Sequence, residues 1–161
     1  MDATRADRRA VVTLPTDTQI LITRDFDAPR ELVWRAWTEA DLIAQWWHAD
    51  RGEIVSIEMD LRVGGSWRYV MRANGGFEVA FSGQCREIVP LERLVTTEIY
   101  EPVPDQPAVT TATFEDLGNG TRVTLLVEHA SRAGRDMHVE SGMEDGLQDA
   151  LRLLEGVAQQ L

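Results

Sequence analysis

The spacing of apolar residues changes twice along the chain, and this change constrains the fold more than any other feature. Between residues 53 and 130, apolar and polar residues alternate with a period of two, which is typical of strands with one buried face. Short turns containing glycine, asparagine or proline interrupt the alternation, so neighbouring strands are expected to be antiparallel. The pattern predicts six strands, at residues 53–59, 66–72, 76–88, 93–100, 108–116 and 121–130.

Helical spacing is found on both sides of this region. Residues 139–161 carry apolar side chains at i+3 and i+4 spacing and predict one long C-terminal helix. Ahead of the alternating region, Ile20 and Ile22 predict a first strand, and Pro29 suits the first turn of a short helix. A second short helix is expected to contain residues 42–47.

The length of 161 residues is that of one domain. We expect residues 1–17 to form a flexible N-terminal arm and residues 18–161 to form a single α+β domain. In that domain a curved antiparallel sheet of about seven strands packs on the C-terminal helix. No run reaches the roughly 20 apolar residues of a membrane span, and the N-terminus has no apolar signal segment, so a cytoplasmic protein is expected.

The charge balance argues against several classes of partner. The chain has 16 basic and 27 acidic residues, a net charge of −11, which disfavours nucleic acids and anionic membranes. Every basic residue is an arginine, so a lysine Schiff base is excluded. Cys85 is the single cysteine, and His48, His129 and His138 lack the spacing of a metal motif. Neither a metal nor a cofactor is expected.

The predicted sheet and helix can enclose a cavity. A strongly curved sheet does not lie flush on a straight helix, so large side chains must fill the gap or a hollow remains. Trp67, Tyr69 and Met71 share one strand face that could point toward the helix. Gly83 and Cys85 interrupt the next strand with small residues. Such positions indicate either a bend with tight packing or room for a ligand, and the sequence leaves both interpretations open.

The outer face of the sheet is expected to be polar. Arg68 and Arg72 alternate with the apolar residues of their strand, and Glu78 and Glu98 are possible ion-pair partners for them. His138 lies in a polar segment and is expected to be solvated. Surface ion pairs of this kind contribute little to stability.

Several runs of the sequence resemble a known family. The chain is similar to the family of proteins related to the activator of the Hsp90 ATPase (AHSA1-like), within the START-like, Bet v 1-like or SRPBCC superfamily. The similarity extends over about residues 18–161. The runs that carry it are DAPRELVWRAWT at 27–38, LIAQWW at 42–47, DLRVGGSWR at 60–68, FSG at 81–83, EIVPLERL at 87–94 and GM at 142–143.

The resemblance implies a helix-grip fold with a deep apolar cavity between the sheet and the C-terminal helix. Across the superfamily such cavities hold lipids, polyketides or other apolar ligands, and a minority of members are cyclases or aromatases. Two positions depart from the family pattern. Cys85 stands where an aromatic residue is common, and Met143 follows Gly142 where tryptophan is common. Both changes are expected to enlarge or soften the pocket.

We expect the cavity wall to be apolar, with His129 as its polar anchor. Free cysteine more often packs as a small hydrophobe than reacts, and core packing is the alternative for the aromatic residues. The segments 102–107 and 131–137 are expected to shape the entrance. The expected wall residues are Trp47, Trp67, Tyr69, Met71, Phe81, Cys85, Met137, Met143 and Leu147.

Three functions remain open at this level. The first is binding of a hydrophobic or amphipathic small molecule, lipid-like or polyketide-like, without catalysis. The second is a polyketide cyclase or dehydratase in which His129 acts as the acid or base. The third is an Hsp90-type co-chaperone that acts through its surface. Of the three functions, this one is the least favoured. Small domains commonly form homodimers, so a homodimer also remains open.

Overall fold

The alternating segments form one antiparallel sheet in a computed structural model that describes residues 9–161. Eight strands lie in the order β1-β2-β8-β7-β6-β5-β4-β3. Every strand that the alternation predicted is present, with small shifts at the ends. The strands are β1 (Val11–Thr13), β2 (Gln19–Phe26), β3 (Gly52–Met59), β4 (Ser66–Ala73), β5 (Glu78–Val89), β6 (Arg93–Tyr100), β7 (Ala108–Asp116) and β8 (Thr121–His129).

Strand β1 lies in the segment that was expected to be an arm. Val11 pairs with Thr23 and Thr13 with Leu21, so β1 extends the sheet beyond β2. The backbone N–H and carbonyl of Ala10 also bond to the Gln148 amide, at 2.9 and 2.8 Å. Residues 1–8 of the expected arm lie outside the described part of the chain.

Four helices complete the described fold, as α1 (Arg30–Thr38), α2 (Ala40–Ile43), α3 (Arg132–Glu140) and α4 (Met143–Gln159). The first two follow β2, as predicted, but α2 ends at Ile43, so Trp46 and Trp47 of the second predicted helix lie beyond it. The single C-terminal helix predicted at 139–161 is instead two helices. Gly142 has a φ of +84°, a left-handed conformation that ends one helix before the next begins. Helix α4 therefore has 17 residues and is about 26 Å long.

Helix α3 begins in the segment that was expected to shape the entrance. The Ser131 hydroxyl caps it by accepting from the Gly134 N–H at 3.0 Å. The same hydroxyl lies 3.2 Å from Oε1 of Gln106, in the proline-rich 102–107 loop. The two segments therefore pack on each other beside the end of β8.

One end of the space between sheet and helix is packed solid. Phe26, Val33 and Leu154 are each no more than 2% exposed. The Phe114 ring lies edge-on to Trp34 and Trp37, at centroid distances of 5.1 and 5.6 Å. This cluster joins β2, β7, α1 and the C-terminal half of α4. Burial of these side chains supplies the main driving force for folding, and it confines any cavity to the other end of the helix.

A buried ion pair reinforces the solid end. Nη1 of Arg24 lies 2.8 Å from Oε2 of Glu155, and the two side chains are 4% and 12% exposed. Oε1 of Glu155 accepts the backbone N–H of Asp27 at 2.9 Å. The Arg24 guanidinium also lies over the Phe26 ring, 4.5 Å from its centroid. Helix α4 is thus fixed to β2 at one defined position.

Candidate binding cavity

A cavity of about 370 Å³ lies between the concave face of the sheet and the N-terminal half of α4. The volume is within the usual range for small-molecule sites, about 300–1,000 Å³. Its apolar lining comes from the sheet, from α4 and from the segment that follows α2. Met71 on β4 and Met143 and Leu147 on α4 lie in this lining, as the sequence predicted.

Aromatic rings form one wall. Trp47, which follows α2, lies edge-on to Tyr69 and Phe81 at centroid distances of 5.4 and 5.5 Å. Trp67 lies 4.8 Å from Tyr69, and Phe81 lies 4.9 Å from Tyr100. The strand register explains the arrangement, because Tyr69 on β4 pairs with Phe81 on β5. The adjacent Trp46 is 7% exposed and donates its indole N–H to the Ala36 carbonyl.

Gly83 holds the aromatic wall close to the sheet. It pairs with Trp67, whose indole N–H donates to the Thr97 carbonyl at 3.0 Å. A Cβ at Gly83 would overlap that carbonyl oxygen and would lie 2.8 Å from the indole nitrogen. Close packing, one of the two interpretations left open, therefore accounts for this glycine.

Glu98 places a carboxyl group inside the cavity. Ser82 pairs with Ile99 and Cys85 with Thr96, so the register brings Gly83 opposite Glu98. On the other side Glu98 pairs with Ala108. The carboxyl thus lies between two of the smallest residues, and burial raises its pKa to about 7.

Glu98 was expected to pair with an arginine on the outer face of the sheet, and this expectation was wrong. Arg68 instead forms two hydrogen bonds of 2.9 Å with Glu101, and only the Arg72–Glu78 pair exists as expected, at 3.4 Å. Glu98 follows Leu94 and Thr96 at a period of two, and those residues also line the cavity. The alternation of β6 in the sequence already places Glu98 on the face that lines the cavity. Its charge suggested a surface position instead.

A pair of histidines lies at the end of β8. Nε2 of His129 is 3.0 Å from Nδ1 of His138, so one ring donates and the other accepts. His129 is 8% exposed, and its Nδ1 has no hydrogen-bond partner among the described residues. Burial and then the neighbouring His129 lower the pKa of His138 to about 4. Burial, followed by the charge of Arg135, lowers the pKa of His129.

The pair reverses the expected roles of the two histidines. His138 lies on α3 and lines the cavity, although it was expected to be solvated. His129, the expected polar anchor, lies behind His138 and outside the lining. The strand position of His129 was predicted correctly, but the sequence pattern of α3 is too polar to reveal a helix that covers it.

Two other expected wall residues are placed elsewhere. Met137 on α3 is 45% exposed and does not line the cavity. Cys85 is 1% exposed and also lies outside the lining, with its Sγ 3.8 Å from the Asp60 carbonyl. Burial raises the pKa of the thiol, which keeps it protonated and unreactive at neutral pH.

Two ion pairs lie close to the cavity lining, to which Arg51 contributes. Nη1 of Arg51 lies 2.8 Å from Oδ2 of Asp149, and Arg152 lies 3.6 Å from Asp50. Both contacts join the segment before β3 to helix α4. Ala49 and Asp50 have φ values of 52° and 60°, an uncommon conformation for residues other than glycine. This part of the chain is therefore held over the cavity in a strained turn.

Residues 9–161 contain no cluster of three or more histidine, cysteine or acidic side chains that could hold a metal ion. Within the same range, no helix combines the length and apolar character needed to cross a bilayer.

An antiparallel sheet that wraps a C-terminal helix and encloses a cavity defines the helix-grip class, the architecture of Bet v 1-like proteins. The family model described as "Activator of Hsp90 ATPase homolog 1-like protein" matches residues 27–159. The chain belongs to this family.

Solved structures of similar proteins confirm the fold. A protein from Rhodobacter sphaeroides has a TM-score of 0.87 at 23% identity, with 94% of this chain and 99% of that chain covered. A protein from Nitrosomonas europaea has a TM-score of 0.82 at 27% identity, with coverages of 91% and 97%. An AHSA1-like protein from Aeromonas hydrophila has a TM-score of 0.69 at 24% identity, with coverages of 86% and 92%. No curated protein matches the chain.

Proposed function

We propose that this protein binds a hydrophobic or amphipathic small molecule in the cavity between the sheet and α4. The observation that carries the proposal is the cavity itself, which is lined by aromatic and aliphatic side chains while the other end of the same interface is packed solid. A hollow of about 370 Å³ has room for about a dozen water molecules. Releasing them from apolar walls favours binding, at about 25 cal/mol per Å² of apolar surface before entropic costs.

A fluorescent probe tests this proposal directly. N-phenyl-1-naphthylamine is neutral and apolar, and its emission rises when it leaves water. The wild-type protein should bind it saturably with one site per chain. Leu147→Trp fills the cavity from α4 and should weaken binding by about tenfold or more, because the new side chain occupies the ligand volume.

Leu161→Trp is the matched control, since Leu161 is 41% exposed at the C-terminus. It adds the same side chain outside the cavity and should bind the probe like the wild type. Equal binding by Leu147→Trp and Leu161→Trp would contradict the proposal, as would the absence of saturable binding. If the probe binds as expected, native mass spectrometry of protein purified from its own host would identify the natural ligand.

One observation supports an enzymatic alternative. A carboxyl with a pKa of about 7 inside an apolar cavity is suited to proton transfer at neutral pH. In a cyclase or dehydratase of this architecture the acid or base would be Glu98 rather than His129. Glu98→Gln should then abolish turnover of a polyketide-like substrate, whereas His129→Gln should retain it. The co-chaperone hypothesis stays a prediction, which a pull-down with an Hsp90-type chaperone would test.

A further inference from the structure

We propose that the ligand of this cavity carries an organic ammonium group, which binds the Glu98 carboxylate among the rings of Trp47, Trp67 and Tyr69. The inference rests on the proposed function and names the chemical class of its ligand, an amphipathic amine.

The first argument is the missing countercharge of Glu98. Its carboxyl lines the cavity and has no hydrogen bond or ion pair to any described side chain. Arg68 and Arg72 lie on the outer face and are paired with Glu101 and Glu78. Arg51 also lines the cavity, but its guanidinium is bound to Asp149 at 2.8 Å. An ionised carboxylate in an apolar site is costly without a partner, and a ligand cation would provide one.

The second argument is the arrangement of rings near that carboxyl. Trp47, Trp67 and Tyr69 line the same cavity as Glu98, and their rings are in mutual contact. The hydrogen bond from Trp67 to Thr97, the neighbour of Glu98, fixes the indole beside this site. Aromatic faces attract organic cations, and more strongly where water is excluded. A ring wall with one carboxylate therefore matches an ammonium group better than a neutral or anionic one.

The third argument is the set of acceptors beside Glu98. Thr96 lies two residues away on the same face of β6 and pairs with Thr110 on β7. Both residues line the cavity, and a rotation about χ1 brings each hydroxyl oxygen within it as an acceptor. A primary ammonium has three N–H donors, which two hydroxyls and a carboxylate can satisfy together.

The rest of the cavity suits the remainder of such a ligand. Ile22, Leu125, Val127 and Leu151 give it aliphatic walls from β2, β8 and α4. A hydrocarbon chain can lie against these residues while its ammonium group contacts Glu98. The net charge of −11 adds a long-range preference, since it attracts cations and repels anions.

Three ligands with the same chain length test the inference. Decylammonium and decanoate, below their micelle concentrations, and decanol, below its solubility limit, are titrated by calorimetry at pH 8, above the Glu98 pKa of about 7. The wild-type protein should bind decylammonium about tenfold or more tighter than decanol, and decanoate weakest. Glu98→Gln should reduce the preference over decanol to less than about threefold while decanol binding is retained.

Glu101→Gln is the matched control. It removes the same charge near the end of β6, but Glu101 faces outward and bonds to Arg68. It should keep the wild-type preference. The inference is overturned if wild-type protein binds decanol as tightly as decylammonium, or if Glu98→Gln keeps the preference; binding of decanol in either case leaves the proposed function intact. If none of the three ligands binds to any variant, the proposed function fails together with the inference.

Discussion

The rings of His129 and His138 are in direct contact, with Nε2 of one 3.0 Å from Nδ1 of the other, in a site that favours their neutral forms. Arg135 disfavours protonation of His129, and Glu128 opposes that effect. Because the two imidazoles share a hydrogen bond, addition of protons to both rings would place two positive charges in contact. The pair therefore ties the packing of α3 on β8 to pH.

Stability should fall as the pH is lowered past the ordinary histidine range. Both pKa values are below 6.5 in the folded state, so the unfolded chain binds more protons between that value and about 4. The contribution of the pair is present above about pH 6.5 and is lost as the pH approaches about 4. Urea unfolding of His138→Gln should show a flatter acid dependence than wild type. An acid dependence of His138→Gln equal to that of wild type would refute the assignment.

Glu98 should have the opposite effect on stability. Its folded pKa of about 7 is above the ordinary value of 4.5, so the folded state binds more protons between these values and stability falls as pH rises through them. Glu98→Gln should remove this loss and be more stable than wild type at pH 8, by up to about 3 kcal/mol. The difference should vanish below about pH 4. The free energy of unfolding from urea titrations at several pH values measures it.

Glu101→Gln serves as the contrast for that experiment. The hydrogen bond from Arg68 lowers the pKa of Glu101, so its ionised form stabilises the fold above the ordinary carboxyl pKa. Glu101→Gln should therefore lose a little stability at neutral pH, where Glu98→Gln gains it. A gain by both variants would show that the effect comes from the reduced net charge and not from the cavity.

The glycine beneath the aromatic wall should not tolerate a methyl group. In Gly83→Ala the new Cβ would overlap the Thr97 carbonyl and crowd the Trp67 indole, and the expected destabilisation is about 1–3 kcal/mol. Tryptophan fluorescence should change as well, because the indole must move. Gly156→Ala on α4 is the control: its Cβ meets nothing within 4 Å, and it should stabilise the helix by up to about 1 kcal/mol. Equal stability of the two variants would contradict the close approach.

The effects of substituting Arg24 and Glu155 on the free energy of unfolding should not be additive. Glu155→Leu removes the carboxylate that pairs with the buried Arg24, which keeps its hydrogen bond to the Asp25 carbonyl, and it should cost about 3 kcal/mol. Replacing both residues by apolar ones, Arg24→Met with Glu155→Leu, should recover much of that loss. Thermal and urea unfolding of wild type, Arg24→Met, Glu155→Leu and the double variant form a double-mutant cycle. Additive losses would mean that the two charges do not interact.

The sheet could be predicted from sequence because one of its faces is buried along most of its length. The alternation in β8, with Val123, Leu125 and Val127 buried, is clear in the sequence. The break between α3 and α4 was missed because apolar spacing continues past it, whereas a single backbone angle at Gly142 separates the helices. The pairing of β1 was missed because three residues are too few to show a period.

The polar groups of the cavity were harder to predict than its walls. Trp47, Tyr69 and Phe81 were identified because large aromatic residues favour buried positions. Glu98 was assigned to the surface because charged residues are seldom buried, although its strand position places it inside. The position of His138 at the cavity depends on a tertiary contact with His129, and the local sequence gives no indication of such a contact.

The division of the interface between β-sheet and α4 has an evolutionary consequence. The Phe114 cluster and the Arg24–Glu155 pair anchor the fold at one end, away from Glu98 and the aromatic wall. Under the proposed function, a substitution such as Glu98→Gln changes the ligand preference of the cavity while this anchor stays unaltered. If the protein binds a ligand as proposed, a lineage of such proteins would exchange one ligand for another by changing a few side chains of the cavity wall.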